Sequence, residues 1–211
     1  MLKEIFESYA KKHVSSGKFS ISSVGGCLRK KYLEIKGQFK EDYNTKSLRA
    51  FDLGDLYHKQ MLKEIMEKGE QFGFHVASAE VNIPEQKYIS GRTDIILSDS
   101  KTGELLIVDC KSASDWTFNK VREGDLSYIQ NYILQIQLYL HFFKLSRGFL
   151  LFMSKSRGEF EEVEVKYDKA LCEQQVQEIE NFYENYVNKN IEPPRCNGGN
   201  FPCPVCKGLP K

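Results

Sequence analysis

Three charged residues interrupt two apolar runs near the middle of the 211-residue sequence: Asp94, Asp109 and Lys111. The runs flank a polar, glycine-containing turn, which predicts a β-hairpin. Because side chains alternate faces along a strand, Asp109 and Lys111 must project to the same side. If the hairpin is symmetric about Lys101 and Thr102, Asp94 lies directly opposite Asp109, with Cβ atoms roughly 5 Å apart.

Two carboxylates held this close repel each other unless a positive charge lies between them. A hard divalent cation such as Mg²⁺ or Mn²⁺ prefers oxygen ligands of this kind. Lys111 could steer a nucleophilic water or stabilise charge that develops on a phosphorus centre. The set suits phosphodiester hydrolysis. The alternative is a structural ion pair at a sheet edge, and the opposed Asp94 favours the metal site.

Other elements must bring further groups to this hairpin. The apolar spacing over 46–68 predicts a helix that carries His58. His58 is a third metal ligand if this helix passes the acidic face, and otherwise a packed or surface residue. A strand over 74–83 carries Glu80, which either joins the site or faces solvent. Helix 128–143 places Gln135 and Tyr139 four residues apart on one face, as polar outliers or pointing at the active centre.

The remaining chain predicts a first helix over 2–14, a polar loop around Trp116 and Arg122, a second hairpin over 147–167 and a helix over 169–188. With 30 basic and 29 acidic residues the net charge is +1, so nucleic acid would have to meet a local patch. One candidate is Arg29-Lys30-Lys31 with Tyr32; the alternative is a solvated basic turn. No run approaches the 18 apolar residues of a membrane span, and the N-terminus lacks an apolar signal core. We therefore expect a cytoplasmic protein without disulfides.

Six cysteines then need another explanation. Cys196, Cys203 and Cys206 form a clustered set of thiols in a Pro/Gly-rich tail, and such a loop gains order from a metal. Their spacing leaves zinc, an iron–sulfur cluster and unligated thiols open. A fourth ligand must come from Cys27, Cys110 or Cys172. Cys27, in a loop near the basic patch, is the best candidate, and it would tie the two ends of the chain together.

Four short motifs occur in order along the sequence: Gly54 to His58, Gly91 to Asp94, Asp109 to Lys111, and Gln135 to Tyr139. Together they resemble the RecB-like branch of the PD-(D/E)XK nuclease superfamily. With the early and late cysteines added, the chain is similar to the CRISPR-associated RecB-like exonucleases and to the iron–sulfur nuclease domains of helicase–nucleases. It contains no P-loop motif, so it is not a complete helicase–nuclease.

The resemblance implies a restriction-endonuclease-like α/β fold: a mixed central sheet flanked by helices, with a cysteine-rich C-terminal loop tied to the N-terminal region by a metal cluster. Residues 1–211 would form one domain, with an N-terminal region (1–45), a nuclease core (46–190) and a cluster-binding tail (191–211). The implied [4Fe–4S] cluster, with Zn²⁺ as the alternative, would be held by four cysteines: Cys27, Cys196, Cys203 and Cys206.

The resemblance also assigns roles in the active site. Mg²⁺ or Mn²⁺ would be bound by His58, Asp94, Asp109 and the backbone carbonyl of Cys110. Lys111 would activate or position the attacking water, while Gln135 and Tyr139 would orient Lys111 and contact the DNA strand. Position 109 is Asp where these relatives often have Glu, and this shorter side chain shifts the metal by about one bond length.

The implied activity is a metal-dependent DNA exonuclease that prefers single-stranded ends and works with CRISPR adaptation proteins, or with proteins of phage or viral recombination and repair. The basic patch would contact phosphates, and Tyr32 or Trp116 would stack on unpaired bases. One alternative is a non-catalytic DNA-binding adaptor subunit of a larger complex. Another is a zinc-ribbon interaction module on an inert α/β domain.

Overall fold

The computed structural model describes residues 17–40, 44–196 and 203–207, and the helix predicted over 2–14 lies outside them. The strands are β1 (Phe19–Ser20), β2 (Phe74–Asn82), β3 (Ile89–Ser90), β4 (Arg92–Asp99), β5 (Leu105–Ala113), β6 (Arg147–Ser154) and β7 (Phe160–Lys166). The α-helices are α1 (Leu28–Ile35), α2 (Thr45–Lys68), α3 (Asp115–Arg122), α4 (Gln130–Phe143) and α5 (Lys169–Phe182). Short 3₁₀ turns lie at Ile21–Ser23, Gly69–Phe72 and Leu126–Ile129, and a π turn at Tyr183–Val187 follows α5.

Five strands form the central sheet in the order β2-β4-β5-β6-β7, and β1 pairs with β3 in a separate small ribbon. Strand β5 is antiparallel to β4 but parallel to β6, so the central sheet is mixed. The parallel pair requires a long crossover, and α3 and α4 lie in that connection. A mixed sheet with helices on both faces confirms the predicted restriction-endonuclease-like α/β fold class.

The hairpin of β4 and β5 has the predicted register. Ile95 pairs with Val108, and Ser98 pairs with Leu105. Continuing this register by one residue places Asp94 opposite Asp109, as symmetry about Lys101 and Thr102 requires. The turn forms where Asp99 accepts hydrogen bonds from the backbone N–H groups that follow it.

The two faces of the sheet are covered by different helices. Helix α2 packs over a cluster that includes Met61, Ile95, Val108 and Cys110. The opposite face, which contains Ile107, belongs to a larger core cluster to which α1, α3, α4 and α5 also contribute buried residues. Because side chains alternate between the two faces along β5, Asp109 and Lys111 lie on the same face as Ile107 and point toward α4. Cys110 lies on the other face, in the cluster that α2 covers.

The polar loop predicted around Trp116 is wrong, because α3 forms there. Ser114 caps the helix by accepting a hydrogen bond from the Thr117 N–H at 3.3 Å, and Asp115 lies in the first turn. Two residues of the helix, Phe118 and Val121, are buried. With eight residues and two buried apolar positions, this helix is too short for its apolar spacing to predict it from the sequence. Its Ser-Asp start is nevertheless a capping signal.

Most other elements agree with their predicted positions, including α2, whose first turn is capped by the Asn44 side chain. Within the described ranges, none of the helices has the length and apolar character that crossing a membrane requires.

Candidate active site

Asp109 and Lys111 form a buried ion pair on β5. The Lys111 Nζ lies 2.6 Å from Asp109 Oδ2, and the Asp109 side chain is only 2% exposed. Burial raises the pKa of Asp109 to about 6; the Lys111 charge opposes this rise and the Asp94 charge adds to it. Burial alone would lower the pKa of Lys111, but the negative charge of Asp109 raises it above its ordinary value, so Lys111 stays protonated.

Asp94 joins this pair from the neighbouring strand. Its Oδ2 accepts a hydrogen bond from the Cys110 N–H at 2.8 Å, and its side chain is 27% exposed. Asp109 is therefore the buried acid of the two, and Asp94 is the acid that solvent reaches. The two carboxylates interact electrostatically, as the predicted opposition requires.

Helix α2 passes the acidic end of the hairpin, as His58 requires if it is to be a third metal ligand. The His58 Nδ1 lies 3.7 Å from Asp94 Oδ2. One turn earlier, a Cβ atom on Gly54 would lie 3.7 Å from Ser112 Oγ, so the helix runs close against the end of β5 at this point. The Gly54-to-His58 spacing therefore brings the imidazole to the acids.

Helix α4 supplies three side chains to the same face. Gln135 Nε2 donates to Asp109 Oδ1 at 3.2 Å, and the Tyr139 hydroxyl donates to the Arg92 carbonyl at 2.8 Å. The hydrogen bonds of these two side chains reach the neighbours of Lys111: Gln135 holds Asp109, the ion-pair partner of Lys111, and Tyr139 anchors the start of β4. The α4 side chain that does contact Lys111 is Tyr132, whose ring centroid is 5.0 Å from Nζ.

Sequence reasoning missed Tyr132. Its signal was its position three residues before Gln135, which places it on the same side of the helix. Burial raises the pKa of Tyr139 to about 12, so its hydroxyl keeps its proton and remains a donor at neutral pH.

Gly91 lets β4 begin close to α4. A Cβ atom at this position would lie 2.7 Å from Ile21 Cδ1 and 3.0 Å from Tyr139 Cε1, which is too close for any other residue without a shift. The glycine of the Gly91-to-Asp94 motif is therefore explained by close approach of side chains to the backbone.

Glu80 does not join the site. Its φ of 53° lies in the left-handed region, and its side chain, 64% exposed, pairs with Arg92 at 3.3 Å. Of the two alternatives for Glu80, the structure therefore supports the solvent-facing one.

His58, Asp94 and Asp109 offer one imidazole nitrogen and two carboxylates, a donor set that suits Mg²⁺ or Mn²⁺. The raised pKa of buried Asp109 beside Asp94 is the condition that a cation would relieve. The possible ligand atoms of these three side chains do not all lie close to one another, however. In the part of the chain that the structure describes, only the cysteines bring three or more such ligand atoms within 4.8 Å of one another. Lys111 is the cation that Asp109 contacts.

The second cluster contains the four predicted cysteines. The sulfur atoms of Cys27, Cys196, Cys203 and Cys206 all lie within 4.8 Å of one another. Cys27 is the N-cap of α1, and its Sγ lies 3.7 Å from that of Cys206. The structure thus brings the C-terminal thiols to Cys27, as expected, rather than to Cys110 or Cys172.

The environments of these thiols differ. Burial raises the pKa of Cys27 to about 12. At Cys203 burial also acts to raise the pKa, but hydrogen bonds from the Cys206 and Val205 backbone N–H groups outweigh it and lower the value to about 7. Cys172 is buried elsewhere, where its Sγ donates to the Gln137 carbonyl at 3.2 Å.

The three basic residues of the predicted patch have acidic neighbours in the structure. Arg29 Nε pairs with Glu192 at 2.7 Å, and both Lys30 and Lys31 approach Glu34 at 3.8 and 3.7 Å. These partners reduce the positive field that phosphates would meet. Tyr32 is only 5% exposed and packs in the core, so its ring has no free face for a nucleobase.

Comparison with known proteins gives structural likeness alone. No family model matches the sequence, and no curated protein matches it. An alkaline exonuclease from Laribacter hongkongensis superposes with a TM-score of 0.60 at 15% identity, covering 83% of this chain and 90% of that chain. The same enzyme in complex with dAMP gives 0.60 at 17% identity over the same shares. A putative exonuclease from Eubacterium rectale gives 0.51 at 14% identity, covering 95% of this chain and 96% of that chain. At these identities the likeness shows a shared fold.

Proposed function

We propose that this chain is a metal-dependent DNA exonuclease that hydrolyses phosphodiester bonds. The observation that carries the proposal is the grouping of Asp94, Asp109 and Lys111 on one face, with Gln135 bonded to Asp109. Support comes from the fold, since the structural neighbours with high coverage are described as exonucleases and one holds dAMP. An isolated structural ion pair would not need a second acid, an imidazole and an amide directed at it.

In this proposal His58, Asp94 and Asp109, with the Cys110 carbonyl, hold Mg²⁺ or Mn²⁺. When bound, the ion supplies Lewis acidity at the phosphate and a site for water. Gln135 keeps Asp109 in a fixed orientation, and Tyr139 fixes the start of β4 that carries Asp94. Lys111 remains positively charged beside the reacting phosphate, where it orients water and stabilises negative charge.

The whole chain, residues 1–211, acts in this proposal as one nuclease domain on single-stranded DNA ends. Its setting would be CRISPR spacer processing or phage or viral recombination and repair, with proteins of those processes as partners. A non-catalytic adaptor is the competing function, and the retained set of Asp94, Asp109 and Lys111 argues against it because a binder has no need of them.

We further propose that Cys27, Cys196, Cys203 and Cys206 hold a structural metal centre. The resemblance of the sequence favours a [4Fe–4S] cluster. The sulfur spacing favours a single Zn²⁺, since tetrahedral Zn–S bonds of about 2.3 Å put sulfurs about 3.8 Å apart, close to the 3.7 Å between Cys27 and Cys206. A cluster binds each thiolate to a different iron and needs a wider set. An absorption spectrum separates them, because only the cluster absorbs visible light.

The deciding experiment is digestion of end-labelled single-stranded DNA with Mg²⁺ or Mn²⁺, using protein purified without oxygen. Wild-type protein should digest the strand only with added metal. Asp94→Ala and Lys111→Ala should lose the activity while they keep the circular dichroism spectrum and the cysteine-bound metal. Lys63→Ala, an exposed lysine on α2 paired with Glu67, is the matched control and should digest normally. Full activity in either site variant, or none in a folded wild type, would overturn the proposal; the second result favours the adaptor.

A further inference from the structure

We propose that Trp116 and Tyr128 form a base-stacking platform that holds an unpaired nucleobase of the DNA strand whose phosphodiester lies at Asp109 and Lys111. The inference rests on the proposed nuclease function and names the substrate class for that site. It assigns a binding role to an aromatic pair that the site's ion pairs and hydrogen bonds do not use.

The pair is unusual because two large aromatic side chains contact each other yet stay in solvent. The ring centroids of Trp116 and Tyr128 are 4.6 Å apart with an interplanar angle of 75°. Trp116 is 53% exposed and Tyr128 is 39% exposed. In an edge-to-face pair, the partner ring covers neither face of the ring that presents its edge and only one face of the other. Every nucleobase has an apolar π face that such a surface accepts.

The two chain segments that carry Trp116 and Tyr128 each connect directly to an element of the candidate active site. On one side, β5 carries Lys111 and ends at Ala113; Ser114 then caps α3, and Trp116 lies in the first turn. On the other side, Tyr128 lies in the 3₁₀ turn that leads directly into α4.

Tyr128 is four residues before Tyr132, in the 3₁₀ turn that immediately precedes α4. Tyr132 contacts the Lys111 ammonium, with its ring centroid 5.0 Å from Nζ. A strand with its phosphate at Lys111 would meet Tyr132 at the reacting centre, and the Trp116–Tyr128 pair lies on the segments that adjoin β5 and α4.

Electrostatics around the pair favour stacking over phosphate binding as its role. Lys120 on α3 is paired with Glu123 and Asp125, and Arg122 is paired with Glu159 and Glu161. These nearby cations are already balanced by carboxylates. What the surface offers a strand is ring area, which single-stranded DNA can use and base-paired DNA, with its bases stacked on each other, cannot.

The chain provides its own probe, because Trp116 is its one tryptophan. Fluorescence of wild-type protein is titrated without added Mg²⁺ or Mn²⁺, so that no cleavage is required. The probes are a short oligothymidylate and a strand of the same length and charge that has no bases. The oligothymidylate should quench Trp116 saturably, and the abasic strand should not. Equal quenching by both strands, or quenching by neither, would overturn the proposal.

Kinetics provide the second test. Trp116→Ala and Tyr128→Ala should raise KM for single-stranded DNA by roughly 5- to 150-fold per lost stack with little change in kcat, and Trp116→Phe should recover part of the loss. Phe72→Ala, an exposed aromatic that follows α2, is the control and should leave KM unchanged. A lower melting temperature with unchanged KM would show that the pair only joins α3 to the turn before α4, and would refute the platform.

The two proposals fail differently. The digestion assay with wild type and Lys111→Ala tests the nuclease proposal, whereas the fluorescence titration tests the platform. Quenching in a protein that cuts nothing would keep the platform as part of a single-strand binder.

Discussion

Removing the ammonium of Lys111 tests the electrostatics on which the candidate site depends. In Lys111→Ala the cation 2.6 Å from Asp109 Oδ2 is gone. A buried carboxylate that stays ionised without its partner would cost about 3–5 kcal/mol. Protonation costs Asp109 less: with a pKa of about 6, binding a proton at pH 7 costs only about 1–2 kcal/mol. We therefore expect the free energy of unfolding to fall by about 1–2 kcal/mol at pH 7.

The pKa of Asp109 determines the direction in which stability changes with pH. An acid whose pKa is higher in the folded than in the unfolded protein binds a proton on folding between the two values, so stability falls as the pH rises through that window. For wild-type Asp109 the window runs from the ordinary value of 3.8 to about 6. Because the Lys111 charge lowers the pKa of Asp109, its removal moves the upper limit higher. The stabilities of wild type and variant should therefore diverge above about pH 6, by up to about 1.4 kcal/mol per pH unit.

Urea unfolding followed by circular dichroism, from about pH 5 to about pH 8 without added Mg²⁺ or Mn²⁺, measures this divergence. The double variant Lys111→Ala/Asp109→Asn has no carboxylate to titrate at this position and should show no widening gap. Lys63→Ala, whose partner Glu67 is exposed, should run parallel to wild type. Parallel curves for wild type and Lys111→Ala across the whole range would refute the reasoning, because Asp109 would then not depend on Lys111.

Two further predictions concern the parts that support the site. Cys203→Ser should release the bound metal, measured by elemental analysis, and lower the melting temperature because α1 loses its connection to the C-terminal thiols; an unchanged melting temperature would count against a structural centre. Gly91→Ala should cost about 1–3 kcal/mol of stability, measured by urea unfolding, because its Cβ would meet Ile21 and Tyr139 at 2.7 and 3.0 Å. Gly54→Ala, whose nearest neighbour is at 3.7 Å, is the matched control, and an equal loss there would contradict the steric argument.

The sequence contains enough information for the hairpin and for the opposition of its two acids. Apolar runs on both sides of a polar turn define the strands, and alternation then determines which residues share a face. The observed pairing of Ile95 with Val108 follows from that symmetry. Helix α2 was also predictable, because its apolar residues recur with helical spacing over more than 20 residues. A pattern of this length predicts a helix even though some of the apolar residues are exposed.

Contacts between residues far apart in the sequence could not be predicted in the same way. The basic run at 29–31 predicts a phosphate patch, but its sequence does not show that the fold brings Glu192 to Arg29. Tyr32 looks like a stacking residue until the packing of α1 buries it. Both findings have one cause: local composition gives the chemical type of a side chain, whereas its partner and exposure depend on tertiary packing.

The crossover between β5 and β6 explains why the two kinds of group meet at one place. Parallel pairing of these strands forces the chain to leave the end of β5, cross one face of the sheet and return. On the outward path it places Trp116 just beyond the strand end, and on the return path α4 passes over the face that carries Asp109. Because Trp116 lies at the start of this crossover and Tyr128 just before α4, the crossover brings the two rings into contact. A single connection therefore sets both the orientation of Asp109 and the position of the platform.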